Sequence, residues 1–263
     1  FSDFIGKISM LEVSIATSDK GIVIRYAECE SYMQALPADD FPRFFNRSTE
    51  GKEYFEVNEN EFKTLISQIV FCCATDESRP ILKGALLTAK NGILEGSALD
   101  GFRMAIAREA MINRERENIV IPAKILQEIS KIISEAETEE HDQVRLYINE
   151  KRAIFMIEDI KVVLRLLDGE FIKYRDILPK ENKTRVVVNR GDLLNSIERA
   201  SLLAKVGKNN LIKLDMKGSN LEITSKSEEG NVREEVIVTK KGEDLDIGFN
   251  AKYVLDVLKS IED

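Results

Sequence analysis

The chain has 263 residues, with 38 Lys and Arg against 46 Asp and Glu, a net charge of -8. That balance excludes a protein that coats nucleic acid by bulk attraction, and equally a polybasic membrane binder. With 43% hydrophobic and 32% charged residues, the composition favours a packed core over disorder, and the length exceeds one ordinary domain.

No apolar run approaches the ~18 residues of a spanning helix. The opening FSDFIGKISM does not read as a signal peptide. Three cysteines (Cys29, Cys72 and Cys73) do not make a disulfide framework, so a reducing cytoplasm is expected.

In chain order, residues 1–8 read as the tail of a helix, followed by strands at 11–17, 20–26 and 30–36. LPADDFPRFFNRSTEGKE then reads as a linker. From Tyr54 a new block begins. Phe62, Ile66, Ile69, Val70 and Cys73 recur at helical spacing behind Asn58, a good N-cap. Strands are expected at 81–89, 93–99 and 102–110, with Asn91-Gly92 as the first turn. IVIPAKILQEISKIISEAE runs strand into helix, with Pro122 at an early helical position. Strands 143–149, 152–157 and 161–167 follow, then the connector DGEFIKYRDILPKENK. A last block runs from VVVN into the helix GDLLNSIERASLLAK. Strands 211–217, 220–225 and 232–239 come next, and IGFNAKYVLDVLKS again runs strand into helix.

The blocks repeat, which bears most directly on architecture. FEVNENEFKTLISQ aligns with VVVNRGDLLNSIER, placing Asn58 on Asn189 at an offset of 131. VIPAKILQEISKI aligns with GFNAKYVLDVLKS, placing Lys124 on Lys252 at 128. LPADDFP aligns with LLDGEFI, placing Phe41 on Phe171 at 130. Residues 1–47 therefore read as the back of one copy, 53–180 as a whole copy and 184–263 as the front of a third. Helices paired on one side of antiparallel sheets make an α+β fold.

Three segments in register carry a family resemblance: SRPILKGALLTAKNGILEGSALDGFRMAIA, LLDGEFIKYRDILPK and DIGFNAKYVLDVLKS. Across essentially the whole chain the sequence resembles the beta subunit of bacterial DNA polymerase III, the sliding-clamp family. The resemblance implies a DNA-clamp fold of three domains, lacking here the front of the first and the end of the third. It implies two subunits closed head to tail around duplex DNA, helices lining the hole, without base readout. It also implies a non-catalytic processivity role, with no cofactor and no metal. The implied partners are the polymerase catalytic subunit, the clamp loader and other proteins with a clamp-binding peptide.

By the same resemblance a hydrophobic peptide groove falls on Leu82, Leu99, Gly101, Phe102, Arg103 and Met104, with Ile172 and Ile177 from the connector. The plain alternative for Leu82, Leu99 and Met104 is core. Leu99, Phe102 and Asp176 depart from the family's usual Thr, His and basic residue, which implies a more apolar pocket. DNA-facing candidates are Arg79, Lys131, Lys205 and Lys208. Segment 190–208 is net +2 and segment 209–248 net -3, whereas the helix at 122–136 is neutral. A solvated helix face is the plain alternative for each lysine. The subunit interface is implied at Arg199, Leu202 and Leu203, whose plain alternative is the helix's own core stripe.

Rival functions are a peptide-binding scaffold without DNA and, far behind, a metal-dependent hydrolase. His141 stands in a charged loop without a second His, Cys72 and Cys73 have apolar neighbours, and no phosphate-binding Gly-rich loop occurs.

Overall fold

Three helices begin on an asparagine, and two of those sit at the positions the repeat equates. In this computed structural model the described residues are 1–9, 12–19, 21–40, 49, 53–113, 116–135, 142–149 and 151–261, without the side chains of 113, 116, 117 and 208. Phe41 and His141 lie outside them. The chain divides into a unit Phe1–Glu50 and a unit Gly51–Asp263.

The smaller unit holds a short helix α1 (Ser2–Ile5) and an antiparallel meander of β1 (Ser14–Ser18), β2 (Gly21–Tyr26) and β3 (Cys29–Gln34). Phe1 gives α1 no side-chain cap, and the helix stops well short of the expected residue 8. Ile24 is buried, and Phe4 meets Tyr26 edge-on at 6.1 Å.

In the larger unit, β4 (Tyr54–Asn58) feeds α2 (Glu59–Ile69). The Asn58 side chain accepts from the N–H groups of Asn60 and Glu61, satisfying two of the orphan donors of the first turn. Next come β5 (Gly84–Lys90), β6 (Ile93–Leu99), β7 (Met104–Ala110), the short β8 (Ile112–Asn113), β9 (Arg116–Pro122) and α3 (Ala123–Glu135). Asn91 and Gly92 join β5 to β6 with φ of 53° and 73°, the left-handed pair that a type I′ hairpin requires. β10 (Gln143–Asn149), β11 (Arg152–Ile157) and β12 (Ile160–Arg165) close this part.

The sequence then repeats the plan with β13 (Thr184–Val187), α4 (Arg190–Ala204), β14 (Leu211–Lys217), β15 (Asn220–Ser227), β16 (Gly230–Ile237), β17 (Thr239–Gly242), β18 (Leu245–Asn250) and α5 (Ala251–Ser260). Asn189 caps α4 through the N–H of Asp192, and Asn250 caps α5 through that of Lys252.

Several boundaries differ from expectation for local reasons. Pro80 starts a 3-10 turn, Pro80–Lys83, so β5 begins at Gly84 rather than 81. The Asp100 side chain accepts from the N–H groups of Phe102 and Arg103, which folds that segment into a turn and delays β7 to Met104. Pro122 ends β9 opposite Gly84 instead of entering α3. The strand expected at 232–239 starts at Gly230, and Thr239 begins β17, which pairs with β13.

All sheets are antiparallel, with orders β12-β11-β10-β4-β8, β7-β6-β5-β9, β16-β15-β14-β18 and β13-β17. One core gathers Phe62, Leu65, Ile66 and Ile69 of α2, Leu126, Ile129 and Ile133 of α3, and inward residues of the first two sheets. Phe62 stacks on Phe155 at 5.8 Å. Each such side chain contributes about 1.5–3 kcal/mol by leaving water. A second core forms between α4, α5 and the β16-β15-β14-β18 sheet. The opposite face of that sheet carries a row of directly paired acids, Asp246, Asp215, Glu222 and Glu235. Lys213, Lys217 and Arg233 pair with all four at 2.6–2.8 Å, Arg233 serving both Glu222 and Glu235, which leaves the row one negative charge in excess.

Glu59, the first residue of α2, is 1% exposed, and neither carboxyl oxygen has a hydrogen-bond partner among the described residues. Burial, with Asp142 and Glu158 nearby, raises its pKa above 4.5. A raised folded pKa favours the protonated folded state, so stability falls as pH rises from about the unfolded pKa through the folded one. Glu59→Gln is expected to raise the thermal midpoint by about 2–4 °C at pH 8, the shift that roughly 1 kcal/mol gives in a chain of this size. The gain should vanish below pH 4. Melting curves at both pH values check it, and an equal gain at both refutes the assignment.

Candidate functional site

Alternation sets the chemistry of the β7-β6-β5-β9 sheet. Ala85, Leu87, Ala89, Leu94 and Ala98 point into the core under the helices, which leaves Leu86, Thr88, Glu95, Ser97, Leu99 and Val120 on the far face. At one end of that face Leu82, Leu86, Leu99 and Val120 bury a small apolar cluster with Phe171 and Tyr174 of the connector, and Met104 packs against it. Leu82 and Leu99 are thus core residues, at 0% and 5% exposure, and Met104 is half-buried. Ile172 and Ile177 stay exposed on the connector.

Beside the cluster lies the turn Gly101–Arg103. Gly101 has φ +96°, which calls for glycine; a Cβ there would also lie 2.6 Å from Arg79 Nη2, the end of a flexible side chain that can move aside. Arg79 Nη2 donates to the Asp100 carbonyl at 3.3 Å. Phe102 is 82% exposed, with its ring 6.4 Å from that of Tyr253 on α5.

Arg103 joins three segments. Its Nε donates to Asp100 at 3.0 Å, Nη1 to Asp256 of α5 at 2.5 Å and Nη2 to the Phe71 carbonyl at 2.7 Å. The guanidinium also lies over the Tyr253 ring at 4.4 Å and the Phe71 ring at 5.4 Å, within cation–π range. Burial pulls its pKa down, and the bonds to Asp256 and Asp100 outweigh that and hold it above the ordinary arginine value. The structure thereby brings Tyr253 and Asp256 to the candidate groove. Sequence reasoning did not single them out. Their spacing of three puts them on one side of α5, and that spacing was the available signal.

The polar end of the same face centres on Glu95, which is 7% exposed. Its Oε1 accepts from Tyr174 Oη and from Arg175 Nη2 at 2.6 Å, and its Oε2 accepts from Arg108 Nε at 2.7 Å. Burial would raise this carboxyl, and the bonds from Tyr174 and Arg108 with the two arginine charges hold it below its ordinary value.

The remaining candidates are dispersed. Lys131 is exposed and donates to Glu128 at 2.7 Å. Lys205 is exposed at the C-cap of α4, and the Lys208 side chain lies outside the described residues. Arg199 binds Glu234 of its own chain through two bonds of 2.9 and 2.6 Å. Leu202 is 65% exposed and Leu203 half-buried. Burial pushes the thiols of Cys72 and Cys73 up to about 11 and about 12, so both stay protonated at neutral pH. Among the described residues no three His, Cys, Asp or Glu side chains group to hold a metal, and no helix is long and apolar enough to cross a membrane.

Comparison with known proteins gives one consistent relationship. The sequence profile of the DNA polymerase III beta subunit, central domain, matches residues 56–173, and that of its C-terminal domain matches residues 175–263. The beta sliding clamp of Bacillus subtilis is 34% identical over the whole chain, which spans 69% of that relative. That of Halalkalibacterium halodurans is 32% identical, again over the whole chain and 70% of the relative. The crystal structure of the Bacillus subtilis clamp superposes on all of this chain, over 69% of its own, with a TM-score of 0.91. The Thermotoga maritima DNA polymerase III beta subunit, 28% identical, matches 99% of this chain and 70% of its own with 0.87. The repeated α+β architecture and these matches agree, and the chain belongs to the DNA polymerase III beta-subunit family, the bacterial sliding clamps.

Proposed function

We propose that this chain encircles duplex DNA as part of a ring of two subunits and tethers the replicative polymerase to it. Residues 1–47, 53–180 and 184–263 are assigned to the first, second and third clamp domains, the middle one complete. As a sliding clamp it is a non-catalytic processivity factor, at work in the cytoplasm. The observation that carries this reading is the structural repeat: asparagine-capped helices at equivalent positions, each on the inner side of an antiparallel sheet, in a member of this family. Retention on DNA is then topological and needs no strong phosphate grip, which fits a net charge of -8. Lys131, Lys205, Lys208 and Arg79 supply the mild positive field toward the duplex. Leu202 and Leu203, with Arg199 beside them, supply the apolar surface between subunits.

The apolar end of the outer sheet face, walled by Ile172 and Ile177, is assigned as the groove for the clamp-binding peptides of the polymerase, the clamp loader and other partners. Phe102 and Tyr253 give it an aromatic side, the kind of surface that anchors apolar peptide residues.

Two measurements check this reading. The complete protein, loaded on nicked circular DNA, should stay bound through a high-salt wash and come off when the circle is cut. Retention on the linear product refutes encirclement and favours a plain scaffold. Separately, Phe102→Ala should raise the Kd of a fluorescein-labelled polymerase clamp-binding peptide about tenfold, the loss of roughly 1.4 kcal/mol. Because Phe102 is exposed, the melting temperature should not move. An unchanged Kd removes Phe102 from the groove.

A further inference from the structure

A connector that forms one wall of a groove must itself be held in place. Around Tyr174 the backbone is tightly knit: the Tyr174 N–H donates to the Ile172 carbonyl at 2.8 Å, and the Ile177 N–H donates to the Tyr174 carbonyl at 3.0 Å. Wherever Tyr174 is fixed, both isoleucines are fixed with it. Along this stretch, between the connector and the sheet, runs an open cleft of about 970 Å³ lined by residues including Leu86, Thr88, Glu95, Val120 and Phe171. Close packing therefore does not hold the connector along its length. Apart from Phe171 and the Tyr174 ring, the described side-chain bonds that join 171–176 to the sheet centre on Glu95, with Ser97 as a second partner of the Tyr174 hydroxyl. One Glu95 oxygen takes both Tyr174 Oη and Arg175 Nη2, while Arg108 of the neighbouring strand holds the other.

We propose that Glu95 is a positioning residue of the peptide groove: it touches no peptide, and by seating Tyr174 and Arg175 it sets where Ile172 and Ile177 stand. The anchor is a buried carboxylate with charged donors, which makes it strong and directional. It also makes the groove wall dependent on a residue about 80 positions earlier in the chain. This inference rests on the groove assigned above.

The test uses the complete protein. Glu95→Gln keeps the shape and removes the charge. It should speed hydrogen exchange of the 171–178 amides at least tenfold while those of β5 stay protected, and raise the peptide Kd about tenfold. Arg175→Met should weaken binding severalfold in the native background and add nothing to Glu95→Gln, a coupling that a generally loosened fold would not produce. Should Glu95→Gln fold poorly, Tyr174→Phe removes only one hydroxyl and should give the same pattern at smaller size. Native exchange at 171–178 in the variants, or native peptide affinity together with faster exchange, overturns the proposal. If the unmodified protein binds no peptide, the groove assignment itself fails, and the exchange measurement still decides whether Glu95 anchors the connector.

Discussion

The Arg103 guanidinium sits where two hydrophobic cores come together, and each of its three nitrogens donates to a different segment. Asp100 belongs to the turn before β7, Phe71 follows α2, and Asp256 lies on α5 in the repeat that follows. A half-buried charge held this way is worth most through what its removal would leave behind: two carboxylates without a cation and a carbonyl without a donor. The aromatic faces of Phe71 and Tyr253 complete the enclosure. The same side chain that ties β7 to α5 therefore also shapes the candidate groove, because Phe102 and Tyr253 are placed by the elements it joins.

The far face of the β7-β6-β5-β9 sheet shows how one surface can carry two duties. Its apolar end is closed by Leu82, Leu99, Phe171 and Tyr174. Its polar end holds Glu95 under two arginines. Tyr174 belongs to both, with its ring in the apolar cluster and its hydroxyl on the carboxylate. A tyrosine suits such a boundary, since its body prefers burial and its hydroxyl needs a partner.

What could be read from the residues was largely local. The cap at Asn58 and the Asn91-Gly92 hairpin are decided within a few residues, so local spacing and turn chemistry identified them, while Asn189 was placed only by its alignment with Asn58. β6, β10, β11 and β14 fall where alternation placed them. Boundaries moved where a single side chain intervened: Asp100 held back the start of β7, and Pro80 that of β5. Among the site residues, Gly101, Phe102 and Arg103 come together with each other because they are consecutive. Glu95, Tyr253 and Asp256 were not legible. Arg108 stands directly across the hairpin from Glu95, but Tyr174 and Arg175 lie about 80 positions from it and Arg103 about 150 from Tyr253 and Asp256, and nothing near them in sequence announces those pairings. Leu82 and Leu99 were open between core and groove, a matter that depends on how far the connector covers the sheet.

The row of acids on the solvent face of the β16-β15-β14-β18 sheet has a meaning beyond stability. Like charges opposite one another in a sheet repel, and here Lys213, Lys217 and Arg233 are drawn in to quiet them. Those three cations are consequently already engaged. A phosphate backbone brushing this face would meet carboxylates beside spoken-for ammonium and guanidinium groups, and would gain little by displacing them. The face turned away from the helices thus offers DNA little hold, so that the outer side of the sheet does not compete for the duplex with the side that the helices line.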